Sequence, residues 1–204
     1  ESINKLVGKK IYNDSLIIFA RDPPQDTIWR NSEIDDYKQG RQDLTIKNNF
    51  KPIFKHTYNK LIPGWAKNHD YIFEMKQDEI EADDIIALTT LFVKDKKLFE
   101  NIVIVSGDED FLQLGDSNVH FAHYKKKKLF QLTKDEAKQK LHEKIVKGDS
   151  SDNIPSIFKG KKIGKSDKQK YIESKKDLDE YLEKNPEIKK IYKRNEKVID
   201  FNFI

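Results

Sequence analysis

The sequence predicts an α/β fold: a central, mostly parallel sheet flanked by helices, followed by a helical C-terminal region. Three observations predict it. Residues 15–20 and 102–105 are continuous apolar runs of strand length, the pattern of parallel strands buried on both faces. Between them Ile85, Leu88 and Phe92, with Ile86 and Val93 alongside, recur at helical spacing and predict a mostly buried helix. Beyond Gly148 the chain turns lysine- and glutamate-rich with only weak apolar stripes.

Composition narrows the function classes. Hydrophobic and charged residues each make up 36%, so the core is modest and the surface heavily charged. The net charge of +4 permits a nucleic-acid partner without requiring one. With no cysteine there is no disulfide, thiolate-bound zinc or thiol nucleophile. No apolar run approaches the ~20 residues that span a bilayer, and no signal peptide is visible. The chain reads as a soluble, intracellular monomer with no membrane partner. It begins at Glu1 rather than Met, so the natural start is expected to lie upstream.

Taken in order, residues 1–10 are weakly amphipathic and predict a helix end. The strand at 15–20 stops at Arg21-Asp22-Pro23-Pro24, leaving Asp22 at its carboxyl end, where ligands bind in open α/β sheets. Asp22 could equally be a turn residue before proline. Trp29, Arg30, Tyr37, Lys38 and Arg41 bring cations and aromatics together, a mixture suited to phosphate contact and base stacking or simply to a solvated loop. Residues 54–61 predict a helix ended by Pro63-Gly64, and 71–73 a short strand. Glu81-Ala82-Asp83-Asp84 then opens the buried helix. Acids in a first turn complement the helix dipole; crowded together, they also repel, and a divalent cation would relieve that.

The strand at 102–105 ends in Ser106-Gly107-Asp108-Glu109-Asp110, a second set of acids at a carboxyl edge or caps for a short helix at 111–114. Residues 119–122 predict a third strand, and 128–132 an edge strand after a lysine-rich hairpin. His120 and His123 read as ordinary strand residues. Thr133-Lys134-Asp135-Glu136 fits a capping box and starts a helix ending at Gly148. Asp149-Ser150-Ser151-Asp152-Asn153-Ile154-Pro155 is turn chemistry with two more carboxylates. Gly160 and Gly164 lie among Lys161, Lys162 and Lys165, where backbone amides and ammonium groups can grip a phosphate, and Ser166 could cap the next helix.

Carboxylates thus recur after strands and at helix starts, and a parallel sheet would gather them. All-oxygen sites of this kind suit Mg2+, with Mn2+ a substitute. Two such ions about 3.5–4 Å apart serve phosphoryl transfer. No Gly-rich nucleoside-triphosphate loop is present, so hydrolysis of nucleic acid is the better expectation.

The order and spacing of Glu81-Ala82-Asp83-Asp84, Ser106-Gly107-Asp108-Glu109-Asp110 and 148–155 resemble the 5′-nuclease (flap endonuclease) family. Tyr37-Lys38-Gln39-Gly40-Arg41 is similar to that family's Tyr-Lys-x-x-Arg element at the helical arch, here at about 30–60. Asp22, Trp29-Arg30 and Tyr192-Lys193-Arg194-Asn195 look closest to its phage RNase H branch. The resemblance implies a metal-dependent 5′-3′ exonuclease or flap endonuclease, with RNase H activity included, that acts on branched DNA or RNA–DNA duplexes in replication or repair. It places Asp22, Glu81, Asp83 and Asp108 around one ion and Asp110, Asp149 and Asp152 around a second, with Asp84 behind them. Lys38 and Arg41 would act on the scissile phosphate. Arg30, Tyr37, Gly160, Lys161, Lys162, Gly164, Lys165 and Ser166 would meet nucleic acid. Residues 1–148 would form the nuclease core and 149–204 a helix-hairpin DNA-binding region. That hairpin holds K+ in relatives; here it departs from their Gly-x-Gly pattern. The family's first strand, with its aspartate, has no counterpart before Ser15.

Two alternatives share these features. A PIN-type ribonuclease uses the same carboxylate-and-sheet logic, though the hairpin after Asp152 argues for DNA. A catalytically inactive, structure-selective DNA-binding protein would explain the absent first strand, but the retained acids argue against it.

Overall fold

The structure is a computed structural model, and it describes residues 2–39, 50–123 and 127–204. Two short helices, α1 (Ser2–Val7) and α2 (Lys9–Asn13), lead into β1 (Ile17–Arg21). After 3-10 turns at Gln25–Thr27 and Trp29–Ser32 comes α3 (Lys51–His56). A π-helical turn at Thr57–Leu61 joins it to α4 (Ile62–Asn68). Then follow β2 (Ile72–Lys76), α5 (Ala82–Lys96), β3 (Ile102–Val105), a 3-10 helix at Glu109–Leu114, β4 (Val119–His123) and β5 (Lys128–Gln131). Helices α6 (Lys134–Lys147), α7 (Lys165–Glu173), α8 (Lys175–Lys184) and α9 (Pro186–Ile199) complete the chain, with a 3-10 turn at Phe201–Phe203.

The strands pair as the apolar runs require. β1 lies parallel to β2, Ile17 opposite Ile72; β3 lies parallel to β4, and β5 returns antiparallel along β4. Among the described residues these ladders form two groups, β1–β2 and β3–β4–β5, not one continuous sheet. Helix α5 packs on β1 and β2, and its Ala87 also joins the core of Ile104, Phe111, Val119 and Phe121. The ends of β1 and β3 are therefore held beside the start of one helix.

Sequence periodicity places the buried face of α5 only in part: Ile85 is buried and Ile86 packs against the core as expected. Leu88 and Phe92 are 36% and 56% exposed, whereas Asp84 and Ala87 are fully buried and Thr90 nearly so. Residues three apart share a helix face, and the Asp84–Arg30 contact described below fixes that face inward. Nor does Pro63 end a helix. It occupies the first turn of α4, where its missing N–H costs little, directly after the wider π turn.

The capping box predicted at Thr133 forms. The Thr133 hydroxyl accepts from the Glu136 amide at 3.2 Å, and the Glu136 carboxylate accepts from the Thr133 amide at 2.8 Å. Glu81 caps α5 in the same reciprocal manner with Asp84. The larger apolar core draws Ile28, Ile34 and Tyr37 together with Ile145, Val146, Ile157, Leu178, Tyr192 and Val198. The C-terminal helices thus share a core with residues that lie long before them in the chain.

Candidate metal centre and nucleic-acid interface

Where β1 ends, the Asp22 carboxylate accepts the amide of Ala82 at 2.8 Å. This ties the carboxyl end of the strand to the first turn of α5, one residue from Asp83. Burial pushes the Asp83 carboxyl up to about 7; the Asp108 charge adds to the rise, Lys38 opposes it, and Asp22 and Glu81 raise it further. Asp22, Glu81, Asp83 and Asp108 therefore form one electrostatic neighbourhood. Asp108 also caps the 3-10 helix at Glu109–Leu114 by accepting the Asp110 amide at 3.0 Å.

Asp110, Asp149 and Asp152 form a second group, each with a carboxylate oxygen within 4.8 Å of the others. A tight loop after α6 brings the last two in. Gly148 has φ +71, and a Cβ there would lie 2.3 Å from the Ile154 carbonyl oxygen, so only glycine fits. Asp149 and Ile154 exchange both backbone hydrogen bonds at 2.8 Å. Burial raises the Asp149 pKa, but hydrogen bonds from Lys144 and Ser151 more than reverse this and hold it at about 2. Members of both groups line one cleft, Glu81 and Asp83 from the first and Asp110 and Asp152 from the second, with Lys38 and Lys144 beside them.

The donor set fits hard divalent cations: carboxylate oxygens from separate elements, three of them within 4.8 Å of one another, and beside them a carboxyl whose pKa is raised first by burial and then by the Asp108 charge. No neutral nitrogen or sulfur ligand is included in the three-carboxylate group.

Two expected nucleic-acid contacts are corrected. Arg30 and Tyr37 are 5% and 3% exposed, so neither presents a surface to a base or phosphate. The Arg30 guanidinium forks onto Asp84 at 2.6 and 2.7 Å, donates to Glu81 at 2.9 Å, and gives its Nε–H to the Val198 carbonyl at 2.8 Å. Burial works against this cation, but the Asp84 hydrogen bond and the surrounding negative groups hold its pKa above the ordinary value. Trp29 also donates to Asp84, at 3.1 Å. The Tyr37 hydroxyl lies 3.0 Å from Glu81 and 3.3 Å from Asp152, and burial beside Glu81 drives its pKa up. These residues orient the acids from behind, with Asp84 at the centre of the network.

Lys38 sits between the two acid groups, bonded to Glu81 and 3.8 Å from Asp152. Residues 35–39 make turns, and Lys38 has φ +54. Gly40 and Arg41, with the rest of 40–49, lie outside the described residues, so the middle of the arch expected at about 30–60 does too, as does the 124–126 part of the lysine-rich turn. In the hairpin, Gly160 (φ +75), Lys161, Lys162, Gly164 and Lys165 are exposed. Ser166 does not cap α7; Gly164 is the N-cap and Ser166 lies inside the first turn.

Sequence reading passed over two residues at the site. Lys144 bridges Asp110 and Asp149; as a base in the last turn of α6 it already had an ordinary role opposite the helix dipole. Asn153, in the left-handed region at φ +61, donates to the carbonyls of Asp36 (2.7 Å) and Gln39 (2.8 Å). Its place in a turn motif gave no sign of so distant a partner.

Comparison with known proteins follows the same lines. Residues 1–143 match the family described as 5′-3′ exonuclease, N-terminal resolvase-like domain. A 5′-3′ exonuclease of Mycoplasmopsis pulmonis (strain UAB CTIP) is 31% identical over 169 residues, covering 77% of this chain and 50% of that protein. One from Buchnera aphidicola subsp. Schizaphis graminum is 29% identical over 167 residues, covering 78% and 53%. The chain thus spans about half the length of these curated relatives. Among solved structures, the T5 D15 protein co-crystallised with metal ions superposes with TM-score 0.69 at 17% identity, covering 98% of this chain and 80% of that one. The bacteriophage T5 D15 flap endonuclease in complex with DNA and metal ions gives TM-score 0.67 at 17% identity, covering 98% and 79%. At such identity the likeness speaks for the fold alone.

Proposed function

The chain belongs to the 5′-3′ exonuclease family through its N-terminal resolvase-like domain, and from that membership we propose that it is a metal-dependent 5′-nuclease hydrolysing phosphodiesters of flapped, branched or end-bearing DNA. One observation carries the reading: a single cleft is lined by carboxylates of two groups, Glu81 and Asp83 from one, with the Asp83 carboxyl pushed to about 7, and Asp110 and Asp152 from the other, whose oxygens converge with that of Asp149 within 4.8 Å. The metal ions and DNA held by the T5 enzyme support it.

Asp22, Glu81, Asp83 and Asp108 would hold one ion, and Asp110, Asp149 and Asp152 a second, with Mg2+ the expected metal and Mn2+ its substitute. Bound divalent ions supply charge neutralisation at the phosphate and acidify a water. The chain does the rest. Arg30, Tyr37 and Trp29 fix Asp84 and Glu81 from below. Lys38 offers an ammonium group between the two acid groups, suited to a phosphate oxygen, and Arg41 is its partner in this reading. Lys161, Lys162 and Lys165, with Gly160, Gly164 and Ser166, would hold the duplex backbone, so residues 149–204 act as the gripping region and 1–148 as the nuclease core, whose metal centre Asp149 and Asp152 complete from the start of the former. RNA–DNA hybrids as substrates, K+ at the hairpin and a monomeric state belong to the same proposal. No helix among the described residues is long and apolar enough to cross a membrane.

The test is Mg2+-dependent cleavage of a labelled 5′-flap, beside a linear duplex and an RNA–DNA hybrid. Asp108→Asn should retain the fold and cut at least ~100-fold more slowly. Near-normal turnover in that variant, or no metal-dependent cleavage of any of the three substrates, would remove the proposal.

A further inference from the structure

The carboxylates of Asp110 and Asp149 come from different elements, the 3-10 helix after β3 and the loop after α6. Both are engaged by the same ammonium group: Lys144 Nζ bonds Asp110 Oδ1 and lies 2.8 Å from Asp149 Oδ2. Its side chain is 21% exposed and reaches in from the last turn of α6, four residues before the loop turns back at Gly148. These are two of the three carboxylates whose oxygens converge within 4.8 Å. A single positive charge therefore stands among the oxygens that a divalent ion would need, and the two compete for the same lone pairs. Arg30 has no such place, since it engages Asp84 and Glu81 from the buried side.

We propose that Lys144 is a tethered counter-ion of the second carboxylate group, which holds Asp110 to Asp149 when no divalent ion is bound and must withdraw for one to bind. It then sets the metal affinity of that group, keeping it weaker than its carboxylates alone would make it. The inference rests on the two-ion reading given above and concerns the positioning of ligands, not the chemical step.

The test is Mn2+ binding to the whole chain by calorimetry, together with thermal unfolding with and without Mn2+. Lys144→Met should bind Mn2+ at this group at least about tenfold more tightly than the unmodified chain, the size of one charge-assisted contact. Its melting temperature should fall without metal and recover with it. Adding Asp149→Asn should abolish the gain in affinity. Lys144→Gln should shift in the same direction, which guards against a special effect of Met; failure of both variants to fold even in Mn2+ counts against the proposal, because the ion should replace the ammonium. Unchanged or weaker Mn2+ binding in Lys144→Met overturns it, as does a stability loss that Mn2+ leaves in place. If neither unmodified nor variant chain binds Mn2+, the two-ion reading falls and this inference with it. If Mn2+ binds and tightens as stated but no substrate is cut, only the nuclease reading fails.

Discussion

Replacing Arg30 with Met removes a buried cation and leaves its partners in place. The Arg30 and Asp84 side chains are 6% and 0% exposed, and Glu81 is 5% exposed. Three hydrogen bonds to carboxylates would vanish, and the Val198 carbonyl would lose the donor that ties α9 to the site. Breaking a buried pair by deleting one partner costs ~3–5 kcal/mol, because the other charge stays buried and uncompensated. Methionine recovers some packing of the aliphatic stem, so about 4 kcal/mol is a fair expectation within that range. For a chain of this size that corresponds to a melting temperature lower by roughly 8–16 °C. Urea unfolding followed by circular dichroism gives the free energy directly by linear extrapolation. Arg30→Lys should recover less than half of the loss, since an ammonium cannot fork onto Asp84 while reaching Glu81 and Val198. Adding Asp84→Asn to Arg30→Met should restore part of the stability. A loss below about 1 kcal/mol in Arg30→Met, at unchanged denaturant slope, would refute the argument that this cation neutralises the floor of the site.

Gly148→Ala should destabilise the protein by more than ~1 kcal/mol and weaken Mn2+ binding, because its Cβ would strike the Ile154 and Pro155 backbone at a positive φ; urea unfolding at wild-type stability would contradict this. Replacing Lys161, Lys162 and Lys165 together with Ala should lower the slope of log affinity against log salt for duplex DNA by about two to three, near 0.9 per phosphate neutralised; an unchanged slope would mean the hairpin does not touch DNA. Asp83 adds a pH dependence. Its folded pKa of about 7 lies above the ordinary 3.8, so its contribution to metal-free stability is fully present below about pH 4 and is lost as pH rises toward 7. Asp83→Asn should flatten that part of the stability curve, and a metal-free curve of the same shape in both proteins would sink the assignment.

The parts of this molecule legible in sequence are those fixed by neighbours in the chain. Apolar runs gave the strands, and Thr133 with Glu136 gave a helix start, since both ends of a capping box lie within one turn. Acids at strand ends marked the site because strand direction decides which end a residue occupies. What sequence concealed depends on distant partners. Arg30 and Tyr37 have the composition of a nucleic-acid surface, and only the position of Asp84 and Glu81 turns them inward. Lys144 looked like a helix-end base until Asp110 arrived from 34 positions away. The π turn at Thr57–Leu61 has no pattern of its own, so Pro63 read as a stop.

The clasp between Asn153 and residues 36–39 makes two remote stretches one cooperative unit. Asn153 holds the carbonyls of Asp36 and Gln39, and the Lys38 amide donates to the Asp152 carbonyl at 3.2 Å. Neither stretch can open to solvent without releasing the other, so the Lys38 and Ile154 amides should exchange hydrogen for deuterium in a single event. Anything that fastens the acidic loop, a bound ion included, slows exchange at Lys38 even where it touches nothing in that turn. The amide of Lys38 is thus a built-in gauge of how firmly the carboxylates on the far side of the cleft are held.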